Sequence, residues 1–204
     1  MAEGCEALIL RTEPSGESFL KLHLLTVEQG IFLCLKRMPK KSSRTATPDL
    51  FDQAVVELEQ SKQGTLQFVK DYQLIKRREA IGQRYQSLQN AASLSRLLVE
   101  NAAHMPESEA LFELATQALD AFADGKAPEV VLLKALFRLL KDEGYPVRES
   151  WWPRLPVGLR AEAKALLNEP APSQQEPAAK ATCRKIHQNL HDWMRQHTGL
   201  LVPT

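Results

Sequence analysis

Cysteine is scarce in this chain of 204 residues. Its three cysteines, Cys5, Cys34 and Cys183, lie far apart with no paired spacing. Neither a disulfide framework nor a zinc ribbon is indicated, and a reducing cytoplasm is the expected setting. Long hydrophobic runs are missing as well. Runs such as 130–133 are far too short to span a bilayer, and Met1-Ala2-Glu3-Gly4 has no basic stretch leading into an apolar segment, so neither export nor a membrane anchor is expected. Nor is there an excess of one charge to name a partner: 26 basic and 25 acidic side chains leave a formal net charge of +1, and local clusters must decide. Catalytic signatures are absent too. There is no GxxxxGKS/T or GxGxxG loop, no GxSxG elbow and no HExxH helix, and the scattered carboxylates pair with no nucleophile, so a non-enzymatic protein is expected.

What is present is enough apolar material, 44% of residues, to bury a core. From residue 5 to about 76, short runs are punctuated by turn residues, which predicts consecutive antiparallel strands at 7–11, 19–26, 31–37, 53–59 and 65–74. Glu13-Pro14-Ser15-Gly16, Val27-Glu28-Gln29-Gly30 and Ser61-Lys62-Gln63-Gly64 have the composition of the intervening turns. Five short strands must close to hide their apolar face, and a five-stranded Greek-key barrel of the OB-fold type does so compactly. After Arg77 the period lengthens to about 3.6 and no glycine occurs between Gly82 and Gly125, so helices are expected at 78–104, 108–123, 128–142, 157–167 and 178–196. The expected architecture is α+β: an OB-fold nucleic-acid-binding domain over 1–77 and an all-helical domain over 78–204. The polar, proline-rich stretch 169–177 reads as a flexible linker.

The densest chemistry lies in the loop 36–48, where Lys36, Arg37, Lys40, Lys41 and Arg44 occur with no acid among them. Five cations on one connector suit sequence-independent phosphate contacts. Strand alternation would turn Leu20, Leu22, Leu24, Ile31, Leu33 and Leu35 inward. Phe19, Lys21, His23, Phe32, Cys34 and Lys36 would then face outward, with Phe19 and Phe32 as stacking platforms for bases. Cys183, His187 and His191 recur every four residues on the last helix, a spacing compatible with metal ligation, but the adjoining apolar stripe favours burial of the cysteine and no metal is expected. Lys134, Arg138 and Lys141 share one face of an otherwise apolar helix and suit either an acidic peptide or a plain polar stripe. Trp151-Trp152-Pro153 reads as a packing anchor.

Taken in order, Ala7-Leu8-Ile9-Leu10-Arg11-Thr12, Pro14-Ser15-Gly16-Glu17-Ser18, Leu25-Thr26-Val27-Glu28-Gln29-Gly30, the basic Lys40-Lys41-Ser42-Ser43-Arg44 and Pro48-Asp49-Leu50-Phe51 resemble the RecO family of bacterial recombination mediators. The resemblance covers the helical region more loosely and returns near 190–199. It implies a cytoplasmic, nucleoid-associated protein that binds single- and double-stranded DNA and anneals complementary strands. It further implies action with RecR to help load RecA, and docking of the acidic tail of single-stranded-DNA-binding protein on the helical domain. By position, Lys36, Arg37, Lys40, Lys41 and Arg44 would contact DNA, with Arg11 and Lys21 as further contacts; Lys134 and Arg138 are the physical choice for the tail. One departure stands out. Many members carry a four-cysteine zinc module after the third helix, whereas this chain reads Val147-Arg148-Glu149-Ser150-Trp151-Trp152-Pro153 there, so a zinc-free variant is expected. An adaptor of the same fold, working mainly through its helical surface, is the alternative expectation.

Overall fold

The computed structural model describes residues 4–38, 47–61, 64 and 66–203 and has the expected α+β architecture, a closed five-strand barrel followed by helices. The strands are β1 (Cys5–Ser15), β2 (Phe19–Thr26), β3 (Gly30–Arg37), β4 (Gln53–Gln60) and β5 (Gln67–Lys76), in the spatial order β1-β2-β3-β5-β4 with β4 returning to β1. All pairings are antiparallel except the seam between β3 and β5. Closure removes free strand edges, which an open five-strand sheet would leave for aggregation. Ala7, Ile9, Leu22, Leu24, Cys34, Ala54, Val56, Val69 and Tyr72 fill the interior.

On β3 the expected facing is reversed. Leu22 pairs with Cys34 and Leu24 with Phe32, and directly opposed residues share a face of the sheet. Because Leu22 and Leu24 are buried inside the barrel, Cys34 and Phe32 turn inward with them. Ile31 packs on the helical core instead, and Leu33 is 40% exposed. The turn decides this. Thr26 pairs with Gly30, its hydroxyl accepts the Gln29 N–H at 3.1 Å, and Gly30 sits at φ +68. A one-residue slip in register moves every side chain to the opposite face, and on β3 the more apolar alternate set is not the one that faces the barrel interior.

The helices are α1 (Glu79–Gly82), α2 (Tyr85–Glu100), α3 (Ser108–Ala123), α4 (Pro128–Asp142), α5 (Val157–Asn168) and α6 (Pro177–His197). The single helix expected over 78–104 is interrupted: α1 ends at Gly82, and a 3-10 turn, Ala102–His104, follows α2. Gly125, at φ +75, lies where any Cβ would meet the Arg84 guanidinium, which donates to the Phe122 and Ala123 carbonyls at the end of α3. None of the described helices is long and apolar enough to cross a membrane. Trp151 is fully buried, edge-on to Trp152 and tilted against Phe137, with its Nε1 donating to Asn189 at 2.9 Å. The aromatic cluster is the packing anchor that the sequence indicated.

The stretch 169–177 is not a free tether. Its Pro172 carbonyl accepts the Ala127 N–H at 2.7 Å, Ala171 packs on the helical core, and Lys134 of α4 reaches the Glu169 carbonyl at 2.7 Å. Proline and glutamine content marked the absence of regular structure correctly, but backbone carbonyls remain available to neighbouring donors whatever the side chains are.

Barrel and helices share one core. Leu8, Leu10, Leu25 and Phe51 from the barrel side pack in the same cluster as Leu94, Leu98, Leu111 and Phe122. Alternation along β1 turns Ala7 and Ile9 into the barrel and Leu8 and Leu10 toward the helices, and a bulge between Ile9 and Arg11 then sets Arg11 opposite His23 on the outer face. Polar groups at the junction are paired. The buried Arg78 donates to the Phe51 carbonyl, to Gln53 and to Asp120 at 2.6–2.9 Å. Asp52, wholly buried, accepts from Arg77, Tyr72 and the Asp49 N–H. Burial raises the Tyr72 phenol, and its hydrogen bond to Asp52 raises it further, so the hydroxyl remains a donor at any physiological pH.

Candidate functional site

Two surfaces carry chemistry, one on each part of the fold. On the barrel, opposed pairs place Phe19 beside Arg37, Lys21 beside Leu35 and His23 beside Leu33, and the seam places Leu35 beside Phe68. These side chains share the outer face of β2, β3 and β5. The Phe19 and Phe68 rings lie 6.1 Å apart at 58°, a tilted aromatic pair of ordinary geometry. Lys21 and Arg37 enter no ion pair among the described residues, and Arg37 is exposed. Glu13 opposes Lys21 and Glu59 opposes Phe68, so the face itself is close to electrically balanced. Net positive charge must come from the loop that leaves it.

That loop is anchored at both ends. The Met38 N–H donates to the Ser18 carbonyl at 2.8 Å, and the Thr47 carbonyl accepts Arg77 Nη2 at 2.7 Å. Lys40, Lys41 and Arg44 lie outside the described residues.

Of the other expected DNA contacts, Lys21 and Phe19 are on the outer face as expected, and Arg37 joins them there because the facing of β3 is reversed. Lys36 is not. It follows the inward register of Cys34, opposite Leu20 and beside Val69, and its Nζ donates to the Lys70 carbonyl at 3.2 Å. Burial pushes its ammonium down, partly offset by Asp71. Arg11 is ion-paired with Glu13. Phe32 packs in the barrel interior and offers no stacking surface. Phe68, not Phe32, is the ring beside Phe19 on the outer face, and only the non-local seam with β3 brings it there. Its alternation with the inward-facing Val69 was the available signal.

The second surface is a groove of about 520 Å³ between α3, α4 and the end of α5. Leu114, Ala118, Val131, Ala135 and Phe137 give it an apolar floor, and Lys126, Lys141 and Arg148 stand among its lining residues. A neighbouring cavity of about 360 Å³ shares Phe137 and Arg148 and adds Trp152 and Lys164. Lys134 and Arg138 also line the groove, but their donors are occupied. Lys134 donates to the Leu166, Leu167 and Glu169 carbonyls at 2.7–3.3 Å, closing the end of α5, and burial pushes its ammonium down. Arg138 bridges Gln117, Glu113 and Asp142 at 2.7–3.2 Å. Lys126, Lys141, Arg148 and Lys164 make no side-chain hydrogen bond or ion pair among the described residues, and they are the cations left for a ligand. Sequence spacing found Lys141 in the row; Arg148 and Lys164 arrive from other elements and share no spacing with it.

No protein-family model matches this chain, and no curated protein matches it, so its function must be read from these two surfaces.

Proposed function

We propose that the protein is a non-enzymatic, DNA-binding mediator of recombinational repair, in the manner of the RecO proteins that its sequence resembles. In this reading the barrel binds and anneals DNA, and the helical part acts with RecR to help load RecA on DNA covered by single-stranded-DNA-binding protein. The observation that carries it is the outer face of the barrel, where the Phe19 and Phe68 rings meet between Lys21 and Arg37 on the strands that feed the basic loop. Aromatic rings offer stacking to any base, and cations follow the backbone without reading sequence.

Fluorescence anisotropy with a labelled single-stranded oligonucleotide at several salt concentrations tests this reading. With Lys36, Arg37, Lys40, Lys41 and Arg44 all engaged, log K against log salt has a limiting slope of about −3.5. Because Lys36 already serves the Lys70 carbonyl, a slope nearer −2.8 is expected, and replacing the loop cations with alanine should flatten it. Unchanged binding would remove the loop from the mechanism. Separately, Phe19→Ala and Phe68→Ala should each weaken oligonucleotide binding by about 1–3 kcal/mol. Phe32→Ala should instead lower stability and leave affinity per folded molecule unchanged; the reverse pattern would return the stacking role to Phe32.

The groove supports a second reading, an adaptor that works mainly through peptide docking. Its apolar floor and a cationic rim without partners among the described residues complement an acidic peptide, the charge of the tail of single-stranded-DNA-binding protein that the resemblance implies. A mediator needs both surfaces; an adaptor needs only the groove.

A further inference from the structure

The cavity of about 360 Å³ beside the groove is lined by Phe137, Arg148, Trp152, Lys164, Leu167 and Asn168, with no carboxylate among them. Lys164, Leu167 and Asn168 come from one face of α5, at three- and four-residue spacing. Phe137 comes from α4, and Arg148 and Trp152 from the turns that follow it. The two rings share one support. Trp151, fully buried and fixed through its Nε1 by Asn189, meets Phe137 at 5.9 Å and Trp152 at 6.0 Å between centroids. Trp152 itself is only partly buried. The side chains of Arg148, Lys164 and Asn168 make no hydrogen bond or ion pair among the described residues.

We propose that this pocket is a second single-strand site, which seats one unpaired base against Trp152 with the adjoining phosphate on Arg148 and Lys164. An indole takes any base by its face, cations follow the phosphates, and the Asn168 amide has both a donor and an acceptor for a base edge. Rings already held in place bind without a further ordering cost. The groove next to it has another composition. Its floor is largely aliphatic, from Leu114, Ala118, Val131 and Ala135, and only the smaller cavity adds an indole. The inference rests on the reading of the protein as a factor that binds and anneals DNA, and it supplies a part that annealing needs. Complementary strands repel through their phosphates. The barrel face holds one of them, and a site on the helical part holds the other. Arg148 also lines the groove, so strand and acidic peptide compete for it, whereas Lys164 lines the pocket and not the groove.

The full-length protein carries its own reporter. Of its three tryptophans, Trp151 and Trp193 are buried, so quenching of indole fluorescence by a stacked base reads Trp152. Oligothymidylate should quench it, and an abasic strand of equal length should not. Lys164→Glu should raise the oligothymidylate concentration needed for quenching by about tenfold, while Phe19→Ala/Phe68→Ala, which weakens the barrel face, should leave the quenching in place. Irradiating the unmodified protein with a 5-bromouracil strand should attach it to Trp152 as well as to the barrel, a readout that needs no variant to fold. Oligonucleotide anisotropy without quenching, or attachment confined to the barrel, would overturn the pocket and leave the barrel reading standing. No oligonucleotide binding at all would sink both. Quenching by an acidic peptide and not by the strand would give the pocket to the peptide and overturn the proposal as well.

Discussion

Arg77→Ala is expected to destabilise the protein by about 3–5 kcal/mol, the range for removing one partner of a buried ion pair. Asp52 is completely buried, and among the described residues the two guanidinium bonds from Arg77, at 2.7 and 3.0 Å, supply its only positive charge. Without them the carboxylate retains a phenol and one backbone N–H, which satisfy lone pairs but do not neutralise the charge. Urea denaturation should show a lower midpoint with an unchanged slope. Removing the charge along with its partner, in Arg77→Ala/Asp52→Asn, should recover part of the loss, and the double-mutant cycle isolates the pairwise coupling. A single-variant cost below about 1 kcal/mol would mean that water hydrates Asp52. The same arginine holds the Thr47 carbonyl, so the variant should also loosen one anchor of the basic loop. Oligonucleotide binding by the folded fraction should then fall as well.

Charge reversal at the groove is the second large effect. Lys141→Glu/Arg148→Glu should weaken binding of an acidic-tail peptide by about tenfold to a hundredfold, or roughly 1.4–2.8 kcal/mol, with little change in stability, because both side chains are exposed and make no ion pair among the described residues. Lys134→Ala should behave in the opposite way. Its ammonium ties the end of α5 to α4 through three carbonyls, so its loss should lower stability first and alter peptide binding only through the shape of the groove. Isothermal titration with the peptide, paired with thermal unfolding, separates the two outcomes. Equal loss of affinity in both variants at equal stability would place Lys134 in contact with the ligand.

The strands and most helix limits were legible because hydrophobic period and turn residues are local signals. Pro128 begins α4, and β2 runs over its expected residues. The facing of β3 was not legible. Both alternate sets on that strand contain apolar residues, and only the hairpin register, fixed by Thr26, Gln29 and Gly30, chooses between them. Phe32 and Lys36 were misassigned for that one reason, and Phe68 was overlooked because its position beside Phe19 depends on a long-range pairing. At the groove the error was of another kind. Spacing along α4 identifies cations on the correct face, but it carries no record of which carbonyl or carboxylate comes to meet them, so it could not choose between a peptide site and a plain polar stripe for Lys134 and Arg138, which the end of α5, α3 and Asp142 engage.

The β3–β5 seam has a consequence in time. It rests on a short parallel register, Cys34 with Gln67, Leu35 with Phe68 and Lys36 with Val69, and it joins strands separated by the basic loop and all of β4. Local hairpins form before such distant pairings, because closing a long loop costs entropy that the later contacts must offset. During synthesis β1, β2 and β3 can assemble as a meander well before β5 leaves the ribosome. The Phe19–Phe68 pair therefore comes into being only when the barrel closes, and a nascent chain carries its loop cations long before its two aromatic rings meet.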